Sequence, residues 1–183
     1  MKTMKIWRLA FAMLAAFSLV SCSSDEPQWA DPEAHEKTEQ LREQYTPFIV
    51  GTWHIERIGD KQRAFEQLTF NANGTLSGMR KWQSRHVVTI DGQEQYTDWE
   101  DVPDENGSFT GTWSLQWERN SSGVGEKRIT LIADWDDKDN PILAYSHNPL
   151  FGHADATTLQ FAGRWQDCDG WTIYERGEAA SSF

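Results

Sequence analysis

The residue types best suited to chemistry are concentrated between positions 134 and 155. Asp134-Trp135-Asp136-Asp137-Lys138-Asp139-Asn140 sets acids at alternate positions, as calcium loops do. Asp139 stands where such a loop needs glycine, and Tyr145 stands where it needs the bidentate glutamate, so the stretch reads as a solvated turn. His147 and His153 flank Pro149, with Asp155 close by. Zinc needs at least a third convergent ligand, and these residues read as scattered surface groups. Ser146 and His147 are adjacent, so a strand points them to opposite faces and a serine–histidine pair does not form. No Gly-x-Ser-x-Gly elbow, HExxH, phosphate loop or dinucleotide fingerprint occurs. Acids abound, but abundance without placement names no general acid. The chain is therefore expected to have no catalytic residue, metal site or cofactor, and a small esterase or isomerase ranks last among its functions.

Tryptophan is the other unusual resource: ten in 183 residues, nine of them after position 21. An indole can fill a core with its N–H satisfied nearby, or wall a cavity for a hydrophobic or aromatic molecule. Trp82, Trp113, Leu115, Trp117 and Trp135 are the expected cavity walls. Trp113, Leu115 and Trp117 share one face of 107–118 (GSFTGTWSLQWE), where apolar and polar residues alternate strictly.

Elements to position them are almost all strand-like. Ile129, Leu131, Ala133 and Trp135 alternate with polar residues, as do Leu159, Phe161, Gly163 and Trp165. Further strands are predicted over 50–58, 65–71, 74–83, 86–91, 94–100, 141–147 and 170–176. Asn73-Gly74, Asp91-Gly92, Asn106-Gly107 and Asp169-Gly170 supply turns. Before them, Asp31-Pro32 can cap and start a helix over about 32–45, with Leu41, Tyr45 and Phe48 on its docking face. Eight to ten antiparallel strands joined by short turns resolve their edges best by closing into a barrel; a two-sheet sandwich is the alternative. Gly111 and Gly163, inside alternating strands, suit barrel corners.

These residues also resemble a family. Phe48-Ile49-Val50-Gly51-Thr52-Trp53 carries the Gly-x-Trp of a lipocalin first strand, preceded by a short helix as in that superfamily. Leu68 to Thr75, Gly111 to Leu115 followed by Ile129 to Leu131, and Trp171 to Arg176 resemble successive strands of the lipocalin-like domains of Bacteroidetes lipoproteins. The resemblance covers most of 48–176. It implies an all-β, up-and-down lipocalin-like barrel with a short N-terminal helix, and a late arginine packed across Trp53 to close one end. Arg176 and Arg164 both qualify. Residues 91–107 depart from a plain hairpin: they hold seven acids and no base, and suggest an elaborated loop at the barrel mouth.

Cys22 concerns location. Lys2, Lys5 and Arg8 precede the apolar run Leu9–Val20, which is too short to span a bilayer and has the build of an export signal. Leu19-Val20-Ser21-Cys22 resembles the lipobox of bacterial lipoproteins, and Ser24-Asp25-Glu26 resembles the acidic tag of surface-exposed ones. The resemblance implies lipidation at Cys22 and residence in the cell envelope, at the outer membrane. The resulting organisation is a signal peptide over 1–21, a lipidated tether and helix over 22–47, a barrel over 48–177 and a tail over 178–183. Removing the signal takes three bases and no acid, changing the formal charge from −11 to −14. Such a chain is repelled by nucleic acid. With Cys22 acylated, Cys168 has no disulfide partner and reads as a small buried hydrophobe. The expected protein is thus a membrane-anchored, non-catalytic binder of a small apolar or aromatic molecule. The alternative is a solid barrel acting as an interaction or inhibitor module, whose 91–107 loop meets an envelope protein.

Overall fold

The computed structural model describes residues 30–135, 144–162 and 170–183, with the side chains of Asp104, Asp134, Trp135 and 144–147 left out of the description. Cys22 and its signal, the turn 136–140, Gly163, Arg164, Trp165 and Cys168 lie outside the described residues. From Glu33 onward the chain forms one compact unit. A helix, α1 (Pro32–Ile49), precedes twelve strands among the described residues. They are β1 (Gly51–Ile58), β2 (Gln62–Phe70), β3 (Thr75–Ser84), β4 (Val87–Ile90), β5 (Gln93–Tyr96), β6 (Glu100–Asp101), β7 (Gly107–Arg119), β8 (Gly125–Trp135), β9 (Ala144–His147), β10 (Phe151–Ala154), β11 (Thr158–Ala162) and β12 (Trp171–Arg176).

The main sheet runs β10-β11-β12-β1-β2-β3-β7-β8-β9, antiparallel throughout. Its two ends meet on β8. β9 pairs with the second half of that strand, from Leu131 to Asp134. The chain then crosses Pro149, and Leu150 bridges Arg128 in the first half. Ile129 N–H donates to Pro149 O at 3.1 Å, and Ala162 N–H donates to Leu150 O at 2.9 Å. β9 and β10 are therefore two pieces of one course, and the sheet is a nearly closed eight-strand barrel. The expected all-β up-and-down architecture is the one observed. β10 falls in a stretch where no strand was predicted from sequence; it is short, follows a proline and carries a register shift between Phe151 and His153, all of which erase a period-two signal.

Closure brings backbones into contact. A Cβ on Gly111 would lie 2.0 Å from Ile132 O and 2.6 Å from the Ala133 Cα, so only glycine lets β7 approach β8 there.

α1 covers one end of this barrel. It runs through Pro47 to Ile49, and its inward row is Leu41, Tyr45 and Ile49. Phe48, expected on that face, is 42% exposed instead. The row follows i, i+4, i+8 spacing because the helix continues a turn beyond the predicted end. Past Thr112, β7 has lost β3 as a neighbour, and helix side chains occupy that edge. Trp117 N–H donates to Thr38 Oγ1 at 3.0 Å, and Arg42 Nε donates to Leu115 O at 3.0 Å. Covering an edge in this way leaves no row of unpaired backbone groups to recruit another strand.

The acidic 91–107 segment is built, not loose. β4 and β5 form a separate exposed hairpin, β6 pairs with the end of β3, and a short 3-10 turn (Pro103–Glu105) leads into β7. Aromatic rings and cations alternate at its base. Arg85 lies between Tyr96 and Trp99, at 4.1 and 4.4 Å from the ring centroids, and Arg63 between Trp99 and Phe183, at 4.5 and 4.6 Å. The tail after β12 lies across the outer faces of β1 and β2: Ser182 N–H donates to Glu56 Oε1 at 2.7 Å and Ala179 N–H to Gln67 Oε1 at 3.2 Å. That cover explains why Phe65 is buried although it points out of the barrel.

Candidate functional site

Cross-strand register sorts the barrel interior into layers. Gly51, Phe70 and Leu76 form the deepest one, at the helix-covered end. Trp53, Leu68 and Gly78 come next. Trp53 is fully buried, its indole N–H donates to Ile49 O at 2.7 Å, and the Arg176 guanidinium sits 4.5 Å from its ring centroid. Arg176 also donates to Val50 O at 3.3 Å and to Phe48 O. It is directly paired with Trp53 across β1 and β12. Of the two arginines the sequence offered, Arg176 is the one seen on this indole; Arg164 lies outside the described residues. Gly51, at φ +138°, keeps clear the space beside it, since a Cβ there would lie 2.6 Å from an Arg176 nitrogen.

The next layer is polar. Glu66 on β2 is fully buried on the inner face. Its Oε2 accepts from Arg80 Nε at 3.0 Å and its Oε1 from the Tyr174 hydroxyl at 2.9 Å. Arg80 also donates to Glu105. Burial by itself would lower the Arg80 pKa, but Glu66 and then Glu105 outweigh it, so the group is held above its ordinary value and stays charged. Both Glu66 oxygens are engaged and no solvent reaches them. This arrangement suits a structural clasp better than a proton-transfer site. Alternation alone did not reveal it, because a glutamate among apolar residues at 64–70 does not show what faces it across the barrel.

Above the clasp the barrel opens. Arg57 pairs with Ala64, and Ala64 with Trp82, placing these three residues side by side on the inner face of β1, β2 and β3. Ala64 is a low floor between a guanidinium and an indole. Together with the β1–β2 turn they line a cleft of about 670 Å³, whose walls also include Ile58, Lys61, Gln62 and Arg63. A second cleft of about 400 Å³ lies under the tail, beside His54, Glu56, Phe65 and Ile173.

Among the expected cavity walls whose side chains are described, Trp82 alone lines the mouth cleft. Trp113 is only 8% exposed, meets Phe70 edge-on at 5.4 Å and donates to Asn71 O at 3.0 Å. Leu115 is buried beside it in the core. Trp117 lies at the helix-covered end, with Lys37 at 4.3 Å from its ring and no room for a Cβ on Gly125 beneath it. These three line neither cleft; they fill the end of the barrel that α1 covers, where strand 107–119 runs. The Trp135 side chain is not described. Sequence reasoning missed Arg57, Lys61, Arg63 and Ala64, for which the only available signal was a small residue interrupting a strand otherwise rich in large ones.

His153 Nε2 lies 3.5 Å from Asp155 Oδ2, and no group of three or more metal-ligating side chains converges among the described residues. Asp155 instead closes a turn by accepting from the Thr157 and Thr158 N–H groups at 2.7 and 2.8 Å, which holds its pKa well below the usual carboxylate range.

Fold and site together define an all-β, antiparallel, lipocalin-like barrel, covered at one end by a helix and open at the other over an aromatic and basic cleft. Comparisons with protein-family models, with curated proteins and with solved structures yield no match.

Proposed function

We propose that this chain is a membrane-anchored lipoprotein whose barrel binds a small, largely apolar or aromatic molecule at its open end without transforming it. The observation that carries this reading is the mouth cleft. Its volume lies within the range of small-molecule sites, and Trp82 offers a flat wall over the Ala64 floor. The one buried carboxylate of the clasp is fully engaged, which supports binding over catalysis.

A neutral probe, N-phenyl-1-naphthylamine, tests the reading by its fluorescence gain on entering an apolar site. The unacylated full-length Cys22→Ala chain should bind it, and Trp82→Ala in that background should weaken binding about tenfold by removing the stacking wall. Absence of binding, or equal binding after Trp82→Ala, overturns the assignment.

Cys22 supports the anchor. Acylated there, the protein would capture or hand over its ligand beside its own membrane and could not diffuse away with it; two or more acyl chains hold firmly. Cys22→Ala should move the protein from the membrane pellet to the soluble fraction and abolish incorporation of labelled palmitate. A mutant that stays in the pellet removes the anchor from the proposal.

One observation favours a second reading, a protein-interaction module. The β4–β5 hairpin exposes Val87, Val88, Ile90 and Tyr96 next to Asp91 and Glu94. Exposed apolar strands of this kind are common contact surfaces.

A further inference from the structure

We infer that the tail, residues 178–183, is a strap that holds the β4–β5 hairpin in place, the two being coupled through one stack of aromatic rings and cations. This coupling stands apart from whatever the mouth cleft binds.

The hairpin needs an outside prop. β4 and β5 pair only with each other, and all eight of their residues are exposed. A lone two-stranded hairpin is marginally stable in water, because it buries too little to offset the ordering of its own chain. Its limbs are rooted close to the barrel. Arg85 N–H donates to Lys61 O at 2.9 Å and Arg85 Nε to Asp60 O at 2.6 Å, both in the β1–β2 turn. The other limb is rooted where Glu100 pairs with Ser84. These roots fix where the hairpin leaves the barrel, and side chains beyond them set its direction.

Those side chains form the stack. The Arg85 guanidinium lies 4.1 Å from the Tyr96 ring and 4.4 Å from the Trp99 ring. The Arg63 guanidinium lies 4.5 Å from Trp99 and 4.6 Å from Phe183. Rings and cations thus alternate over five groups, from the tail to β5. A planar guanidinium can meet a ring on each face, which suits arginine to both linking positions. Arg63 is kept in line by Gln83, whose Oε1 accepts from its Nε at 2.8 Å.

The tail docks chiefly through Phe183. Gly177, at φ +116°, turns the chain back over the sheet. Residues 179–182 are two alanines and two serines, with little apolar surface to bury. Their N–H groups meet the Gln67 and Glu56 side chains rather than a strand ladder. Phe183 adds a ring that takes both Arg63 and Lys81, the latter at 5.0 Å, and its O accepts from Lys81. Its loss therefore frees the tail, while Arg63 is the residue that tail and hairpin share. Coupling of this kind is reciprocal: displacing the tail loosens the hairpin, and a partner that takes hold of the hairpin changes the hold on the tail.

Hydrogen exchange in the full-length Cys22→Ala chain tests both directions. Phe183→Ala should speed exchange about tenfold over 178–183 and about threefold over 86–99, in line with the loss of exposed cation–ring contacts. Trp99→Ala, at the other end of the stack, should speed exchange over 178–183 by about threefold. Phe183→Tyr keeps the ring and should match the parent, whereas Phe183→Leu keeps apolar bulk without the ring and should behave as the alanine variant. Strands β7 and β8 serve as the reference and should not change. Faster exchange in the tail alone after Phe183→Ala would show that tail and hairpin are independent and overturn the coupling. Parent-like exchange in Phe183→Leu would assign the effect to burial and remove the stack. A parallel rise in β7 and β8 would mean that the whole fold loosens, which also overturns it.

Discussion

Arg80→Met is expected to destabilise the protein by about 3–5 kcal/mol, because it takes a charged donor away from a buried carboxylate. Glu66 has no exposed surface and relies on Arg80 Nε at 3.0 Å and the Tyr174 hydroxyl at 2.9 Å. Methionine keeps much of the arginine volume but offers no charge, so Glu66 stays buried with one charged donor fewer. Glu105 loses its partner in the same step, although its greater exposure makes that loss small. Urea denaturation followed by circular dichroism measures the effect as a lowered midpoint. The cause is isolated by Glu66→Gln/Arg80→Met, which removes the charge but keeps an acceptor for Tyr174. This double variant should recover most of the lost stability, since replacing both members of a buried pair is often near neutral. A single variant within about 1 kcal/mol of the parent would mean that Arg80 is not what keeps Glu66 in place, contrary to the clasp described above.

Trp53→Ala should cost a similar amount, about 3–5 kcal/mol, for a different reason. The indole is fully buried between the barrel floor and Arg176, and its N–H holds the Ile49 carbonyl at the end of α1. Removing it opens a cavity beneath the helix and unpairs that carbonyl together. Trp53→Phe, which keeps most of the ring and loses the donor, should cost clearly less. Near-ultraviolet circular dichroism should lose intensity in the alanine variant as the closed end loosens, and the denaturation midpoint should fall in parallel. Equal stability of the alanine and phenylalanine variants would show that packing is not what Trp53 contributes. Unchanged stability in both would remove the sealing role altogether.

The two losses differ in kind, and so does their legibility in the sequence. Trp53 stands in a Gly-x-Trp pattern after a helix, and its environment follows from local order: the helix that precedes it must cover it. Strict alternation over 107–118 likewise identified β7 almost to its ends, because a half-buried strand repeats every two residues whatever its partners are. Glu66 carries no such signal. Its role depends on Arg80, fourteen residues on, and Tyr174, at the far end of the chain, which only barrel closure brings within hydrogen-bond distance.

The tryptophans show the same division more sharply. Periodicity placed Trp113, Leu115 and Trp117 together on the inward face of β7, and they are together. It could not tell the helix-covered end of that face from the open one. The 13-residue strand outruns β3 and extends under α1, so its aromatic residues fill the closed end. Trp82 reaches the open end because β3 runs the other way and because Ala64 beside it leaves space. Composition, alternation and turns in the sequence thus determined an antiparallel all-β chain with a leading helix and an excess of acids. Which arginine covers Trp53, which carboxylate is buried, and which aromatic meets the cleft were decided by the tertiary structure alone. A strand's pattern encodes which face is inward, while its neighbours and its depth along the barrel depend on register between distant segments.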